Sequence, residues 1–133
     1  MRHFFILSFF IALLIANDLE KGLEAISEGN FPKAKTYLQK ACDEGNTKGC
    51  FGLGLMHYRG DGVEQNYSQA AMLYRKACDG GEVGGCFNLA TMYDAGIGVQ
   101  QSKSYAKKLF KMACDMTHEN GCAEYELLVS QGY

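Results

Sequence analysis

Proline is nearly missing: Pro32 is the only one in 133 residues. No serine- or glycine-rich tract interrupts the chain either, so nothing in it reads as a linker between domains. Positive charge is not in excess, with 13 lysines and arginines against 15 acidic residues. The basic residues are scattered among the acidic ones without forming a stripe, which excludes nucleic acid as the expected partner. No apolar run reaches the roughly 20 residues of a membrane span. The six cysteines lack the close C-x-x-C pairs of zinc sites, and the three histidines, His3, His57 and His118, lie far apart. No metal and no cofactor is expected.

What is present is a repeat. Cys42 and Cys50, Cys78 and Cys86, and Cys114 and Cys122 are each eight residues apart, and each pair begins 36 residues after the last. A period of this length marks a stacked repeat architecture. The register extends beyond the cysteines: Ala34, Ala70 and Ala106 align, as do Leu38, Tyr74 and Phe110, and Ala41, Ala77 and Ala113. Downstream of each first cysteine come Gly49, Gly85 and Gly121, then Leu53, Leu89 and Tyr125, then Met56, Met92 and Leu128.

At the N-terminus, Met1-Arg2-His3 is short and basic, and Phe4 to Ala16 is apolar except for Ser8. This fits a secretory signal peptide, residues 1–16, with cleavage expected after Ala16; an uncleaved anchor is the alternative. No cysteine sits at the end of the run, which argues against lipoprotein processing. Export to the periplasm or the exterior agrees with an even cysteine count, because thiols stay paired there. Two residues eight apart on one straight helix are separated by about 12 Å, and a disulfide needs Cα atoms within about 7 Å. Each pair therefore straddles a helix–helix turn, with Cys42–Cys50, Cys78–Cys86 and Cys114–Cys122 as the natural pairing.

The remaining residues, 17–133, read as helices. Asp18 is placed to cap a first helix carrying Leu19, Leu23 and Ile26, ended by Gly29-Asn30. Pro32 suits the first turn of the next helix, which carries Ala34, Leu38 and Ala41. A first helix of the second unit opens near Thr47 and presents Cys50, Leu53 and Met56 on one stripe. Gly60-Asp61-Gly62-Val63 breaks it, and a partner helix starts near Tyr67. The third unit repeats this with Gly96-Ile97-Gly98-Val99 as its break, and Glu119 to Gln131 supplies one more first helix. The boundaries are thus 17–46 for a shortened hairpin, 47–82 and 83–118 for full repeats, and 119–133 for a capping helix.

Leu53-Gly54-Leu55-Met56-His57-Tyr58-Arg59-Gly60-Asp61-Gly62-Val63, followed by Ala70 and Tyr74-Arg75-Lys76-Ala77-Cys78, resembles the Sel1-like repeat, a relative of the tetratricopeptide repeat. Ala41-Cys42-Asp43 with Gly49-Cys50-Phe51, and Ala77-Cys78-Asp79 with Gly85-Cys86-Phe87, are similar to the Helicobacter cysteine-rich protein family. The third copy departs from that pattern at Gly121-Cys122-Ala123. The resemblance implies an all-α, right-handed α/α superhelix. It also implies a secreted or periplasmic protein that binds penicillin-type β-lactams with slow β-lactamase activity, or else a non-catalytic peptide- or protein-binding module.

The residues themselves favour recognition over catalysis. Ser104-Tyr105-Ala106-Lys107 matches the S-x-x-K element of serine β-lactamases, but the S-D-N and K-T-G companions are missing, so Ser104 reads as a first-turn residue of an exposed helix. His57 aligns with Tyr93 and reads as a packing residue, and His118 falls in a turn. By analogy with tetratricopeptide stacks, the first helices line the concave side. The groove positions there are Lys48, Phe51, Gly52, Leu55, Tyr58 and Arg59, then Phe87, Asn88, Thr91 and Asp94. An extended peptide, a protein segment or a cell-wall or β-lactam-like small molecule would bind there, with Asn88 pairing to a peptide backbone. A third reading is a surface module recognised by an envelope or host protein. A monomer without membrane contact after signal cleavage is expected.

Each disulfide closes a nine-residue loop, for which loop entropy gives about 2 to 3 kcal/mol. Circular dichroism in a reducing agent is therefore expected to show loosened or lost helical structure; an unchanged spectrum would count against a structural role for the bridges.

Overall fold

The computed structural model describes residues 2–133, and for residues 2–5 and 11–16 the backbone alone. The side chains around the expected cleavage point after Ala16 lie outside the described residues. Seven helices follow one another: α1 (Arg2–Ser27), α2 (Phe31–Asp43), α3 (Thr47–Arg59), α4 (Tyr67–Asp79), α5 (Val83–Ala95), α6 (Lys103–Asp115) and α7 (Glu119–Ser130). Each packs on the next, giving an all-α stack of helical hairpins. No strand occurs among the described residues.

The sequence sets the helix ends by repeated caps. Asn30, Asn66 and Ser102, 36 residues apart, open α2, α4 and α6, and each accepts a hydrogen bond from the backbone N–H three residues on. Such side-chain oxygens satisfy a donor that the first helical turn leaves free. Gly60 and Gly96 close α3 and α5 in the left-handed conformation, at φ +74° and +70°, where a side chain would be strained.

Three disulfides join α2 to α3, α4 to α5 and α6 to α7: Cys42–Cys50, Cys78–Cys86 and Cys114–Cys122. Their Cα atoms are 4.4 to 4.5 Å apart. Such close approach is possible because glycine faces alanine beside every bridge. A Cβ added at Gly49, Gly85 or Gly121 would meet the Cβ of Ala41, Ala77 or Ala113 at 2.7, 2.9 and 2.9 Å. Between the bridges, Leu38, Tyr74 and Phe110 fill the interior of α2, α4 and α6, at 0, 1 and 2% exposure.

Helix α1 differs from expectation at its start. It runs through Asp18 without a break, so Asp18 is an interior helical residue and caps nothing. Its most buried residues are Gly22 and Ala25, while Leu19 and Ile26 pack partly buried against the core and Leu23 is 51% exposed. The cause is a change of register. The connection from α1 to α2 has only residues 28–30, against 60–66 between α3 and α4, so α1 aligns with α3 at an offset of 32. Gly22 then corresponds to Gly54, and the contacts agree: a Cβ at Gly22 would meet Leu38 Cδ2 at 2.7 Å, as one at Gly54 would meet Tyr74 Cε1 at 2.8 Å. In this register Leu19, Leu23 and Ile26 correspond to Phe51, Leu55 and Tyr58.

The same alignment explains the polar ends of the stack. Lys21 and Glu24 occupy the positions of Leu53 and Met56, which bury against the preceding hairpin. In α7, Glu126 stands where α3 has Gly54 and α5 has Ala90, both buried. Polar outer faces are what terminal repeats need.

Gly85→Ala places a methyl group 2.8 Å from the Tyr74 carbonyl oxygen and 3.0 Å from the Cys78 backbone nitrogen. Helix ends held by a bridge cannot yield cheaply, so chemical denaturation should report a loss of about 1 to 3 kcal/mol. Substitution of Gly52, whose nearest neighbour is the flexible Leu38 side chain at 3.2 Å, should cost less.

Candidate ligand-binding groove

Two cavities adjoin on the face built by the first helices. One, of about 330 Å³, is walled by Leu19, Leu23 and Ile26 of α1, by Phe31, and by Phe51, Leu55 and Met56 of α3, with Gly52 also lining it. Its rim carries Lys48, Arg59, Asp61 and Glu82. The other, of about 220 Å³, lies between α3 and α5 and is lined by Leu55, Tyr58, Arg59, Tyr74, Phe87, Asn88, Thr91, Met92 and Ile97. Leu55 and Arg59, one turn apart on α3, belong to both.

Of the groove positions read from the sequence, Lys48, Phe51, Leu55 and Arg59 gather at the first cavity, and Tyr58, Phe87, Asn88 and Thr91 join Leu55 and Arg59 at the second. Asp94 joins neither. It pairs with Lys103 of α6 at 2.9 Å, because the position equivalent to Tyr58 on α5 faces the α6–α7 side of the stack. The Lys103 Nζ also sits 5.6 Å from the centre of the Tyr133 ring. Sequence reasoning missed Met56, Asp61, Tyr74, Glu82, Met92 and Ile97, and with them the whole α1-side wall of Leu19, Leu23, Ile26 and Phe31. The signal that would have found that wall is the shorter α1–α2 connection, which turns the α1 leucines toward the groove.

The second cavity is polar on one side. Tyr74 is 1% exposed, and burial raises its hydroxyl pKa above the ordinary tyrosine value, offset in part by a hydrogen bond with the Asn88 side chain. Arg59 is exposed and is the one charged side chain of this cavity. The ion pairs among the described residues are Lys103–Asp94 and Lys111–Asp115, so Arg59 belongs to none.

The S-x-x-K residues do not meet in a catalytic pair. Ser104 is exposed in the first turn of α6, and Lys107 donates through Nζ to the Tyr133 backbone carbonyl. His118 is the N-cap of α7 rather than a plain turn residue: its Nδ1 accepts from Gly121 N–H at 3.0 Å, and its ring lies 4.6 Å from that of Phe87. His57 is half-buried and its Nδ1 is buried without a hydrogen-bond partner among the described residues. No cluster of three metal-ligating side chains occurs among the described residues, and no helix there is long and apolar enough to cross a membrane.

Comparison with known proteins agrees with the stack. The family model described as Sel1 repeat matches residues 16–46, 47–82 and 83–118. A stretch of 45 residues is 47% identical to HcpC of Helicobacter pylori, whose name carries a provisional β-lactamase assignment; the match covers 34% of this chain and 16% of that protein. The chain thus corresponds to a small part of the length of that curated relative. Among solved structures, cysteine-rich protein B of Helicobacter pylori superposes with a TM-score of 0.74 at 29% identity, over 88% of this chain and 90% of that one. A Sel1 repeat protein from Oxalobacter formigenes gives a TM-score of 0.80 at 21% identity, over 95% and 98% of the two chains, a likeness of fold.

Burial, and secondarily the charge of Lys35, lower the His57 pKa below its ordinary 6.5. The unfolded chain then binds the proton more readily, so stability is full above about pH 6.5 and falls as pH drops toward the depressed value. Thermal melts between pH 7.5 and 5 should show this decline, and His57→Gln should flatten it; an equal slope in the variant would remove His57 as the cause.

Proposed function

We propose, from the premise that the chain belongs to the Sel1 repeat family, that it is a non-catalytic recognition module that binds an extended peptide across its first-helix face. The observation that carries this reading is the pair of adjoining cavities. The Asn88 amide, Tyr74 and Arg59 line one of them, and an apolar hollow opens next to it. Main-chain hydrogen bonds from a side-chain amide, with pockets for alternate side chains, are a general means of holding extended chains. Sel1 repeats are protein-interaction modules as a class, and this chain has that architecture.

Three disulfides and the similarity to the Helicobacter cysteine-rich proteins mark the chain as extracytoplasmic. We further propose that it reaches the periplasm or the exterior with residues 1–16 removed. A hydrolytic role, suggested by the name of HcpC, draws less support from the residues, since the lysine of the S-x-x-K match, Lys107, is engaged by Tyr133.

Two measurements test the reading. Asn88→Ala should weaken peptide capture by about five- to tenfold, the loss expected for one buried hydrogen bond, and unchanged capture would remove Asn88 from the site. Mass spectrometry after incubation of the oxidised protein with a penicillin should show no covalent adduct, whereas an acyl group on Ser104 would overturn the non-catalytic assignment.

A further inference from the structure

The two cavities differ in chemistry, and a ligand that spans both must match the difference. The α1–α3 cavity is apolar along its walls, from Leu19, Leu23 and Ile26 on one side to Phe51, Leu55 and Met56 on the other. Leu23 is 51% exposed. Its place is that of Leu55 one repeat later, and no further first helix packs against it. Charges of both signs stand on this rim, so the rim alone selects neither an acidic nor a basic partner. The α3–α5 cavity is different: its one charge is Arg59, accompanied by the hydroxyl groups of Tyr58, Tyr74 and Thr91 and the Asn88 amide. A guanidinium that forms no ion pair within the described residues, facing hydrogen-bonding groups in this cavity, suits an anionic oxygen pair.

We infer that the peptide recognised here presents a large apolar side chain to the α1–α3 cavity and, about two residues away, a carboxylate to Arg59 in the α3–α5 cavity. The spacing follows from the shared wall. Leu55 and Arg59 are four residues apart on α3, about 6 Å along the axis, which two residues of extended chain cover. The inference rests on the peptide-recognition reading above and adds to it a side-chain preference. The carboxylate belongs to an aspartate or glutamate side chain or to the peptide's own C-terminus, two sources of the same chemistry.

The test uses the oxidised full chain, immobilised, and two randomised octapeptide libraries, one with a free C-terminal carboxylate and one amidated. Captured peptides are sequenced by mass spectrometry. Enrichment of leucine, isoleucine, methionine or phenylalanine two residues from an acidic side chain in both libraries is expected if the side chain is the source. Enrichment of the apolar residue near the C-terminus in the free library alone assigns the terminal carboxylate instead. Leu23→Glu and Arg59→Gln, both at exposed positions and checked for folding by circular dichroism, should each lower capture of the enriched peptides at least tenfold. Enriched peptides without the apolar–acidic pair, or capture indifferent to both substitutions, would overturn the inference and leave peptide recognition standing. No enrichment in either library would overturn peptide recognition itself.

Discussion

The close contact of glycine with alanine beside each disulfide governs how this chain is built. Gly49 against Ala41, Gly85 against Ala77 and Gly121 against Ala113 leave no room for a further carbon, so the helices on either side of a repeat junction meet at one separation. The bridges hold that separation, and the next hairpin inherits its position from it. Because the bridges join one repeat to the next, they act where a stacked protein is otherwise held only by its nearest-neighbour interfaces. The Arg75 guanidinium adds a polar tie of the same kind, donating to the hydroxyl groups of Tyr93 on α5 and Tyr105 on α6.

From Pro32 onward the fold was readable in the sequence, because the 36-residue register repeats a complete set of instructions. Caps at Asn30, Asn66 and Ser102 start the second helices, large residues at Leu38, Tyr74 and Phe110 fill them, and cysteine spacing places the turns. The 36-residue register does not carry over to α1, because the α1–α2 connection is four residues shorter than its counterpart between α3 and α4; Gly22 and Ala25 become its most buried residues and Leu23 is left exposed. The site was therefore half visible: the α3 and α5 positions followed from spacing, whereas the α1 wall required knowing the offset. Asp94 was misplaced for a related reason, since an equivalent position on the next helix faces the next interval of the stack, where Lys103 is waiting.

The first-helix face gains its character from the ends of the stack. On α1 the positions equivalent to Leu53 and Met56 are the polar Lys21 and Glu24, while Leu19 and Leu23 wall a cavity. Proceeding along the stack, the interval between α3 and α5 is narrower and more polar, and that beyond α5 is closed by the Asp94–Lys103 pair and Tyr133. The three intervals of this face thus differ in chemistry: apolar walls under a charged rim, then hydrogen-bonding groups around Arg59, then an ion pair.

The bridges are local in sequence and yet span repeat boundaries, and this bears on how such chains change length. Excision of residues 47–82 would bring Cys42 to eight residues before Cys86 and set Ala41 opposite Gly85. Every thiol would keep a partner, and every tight contact its counterpart. Duplication of the same segment would do likewise. The number of repeats can therefore change by whole units without passing through a form that carries an orphaned cysteine.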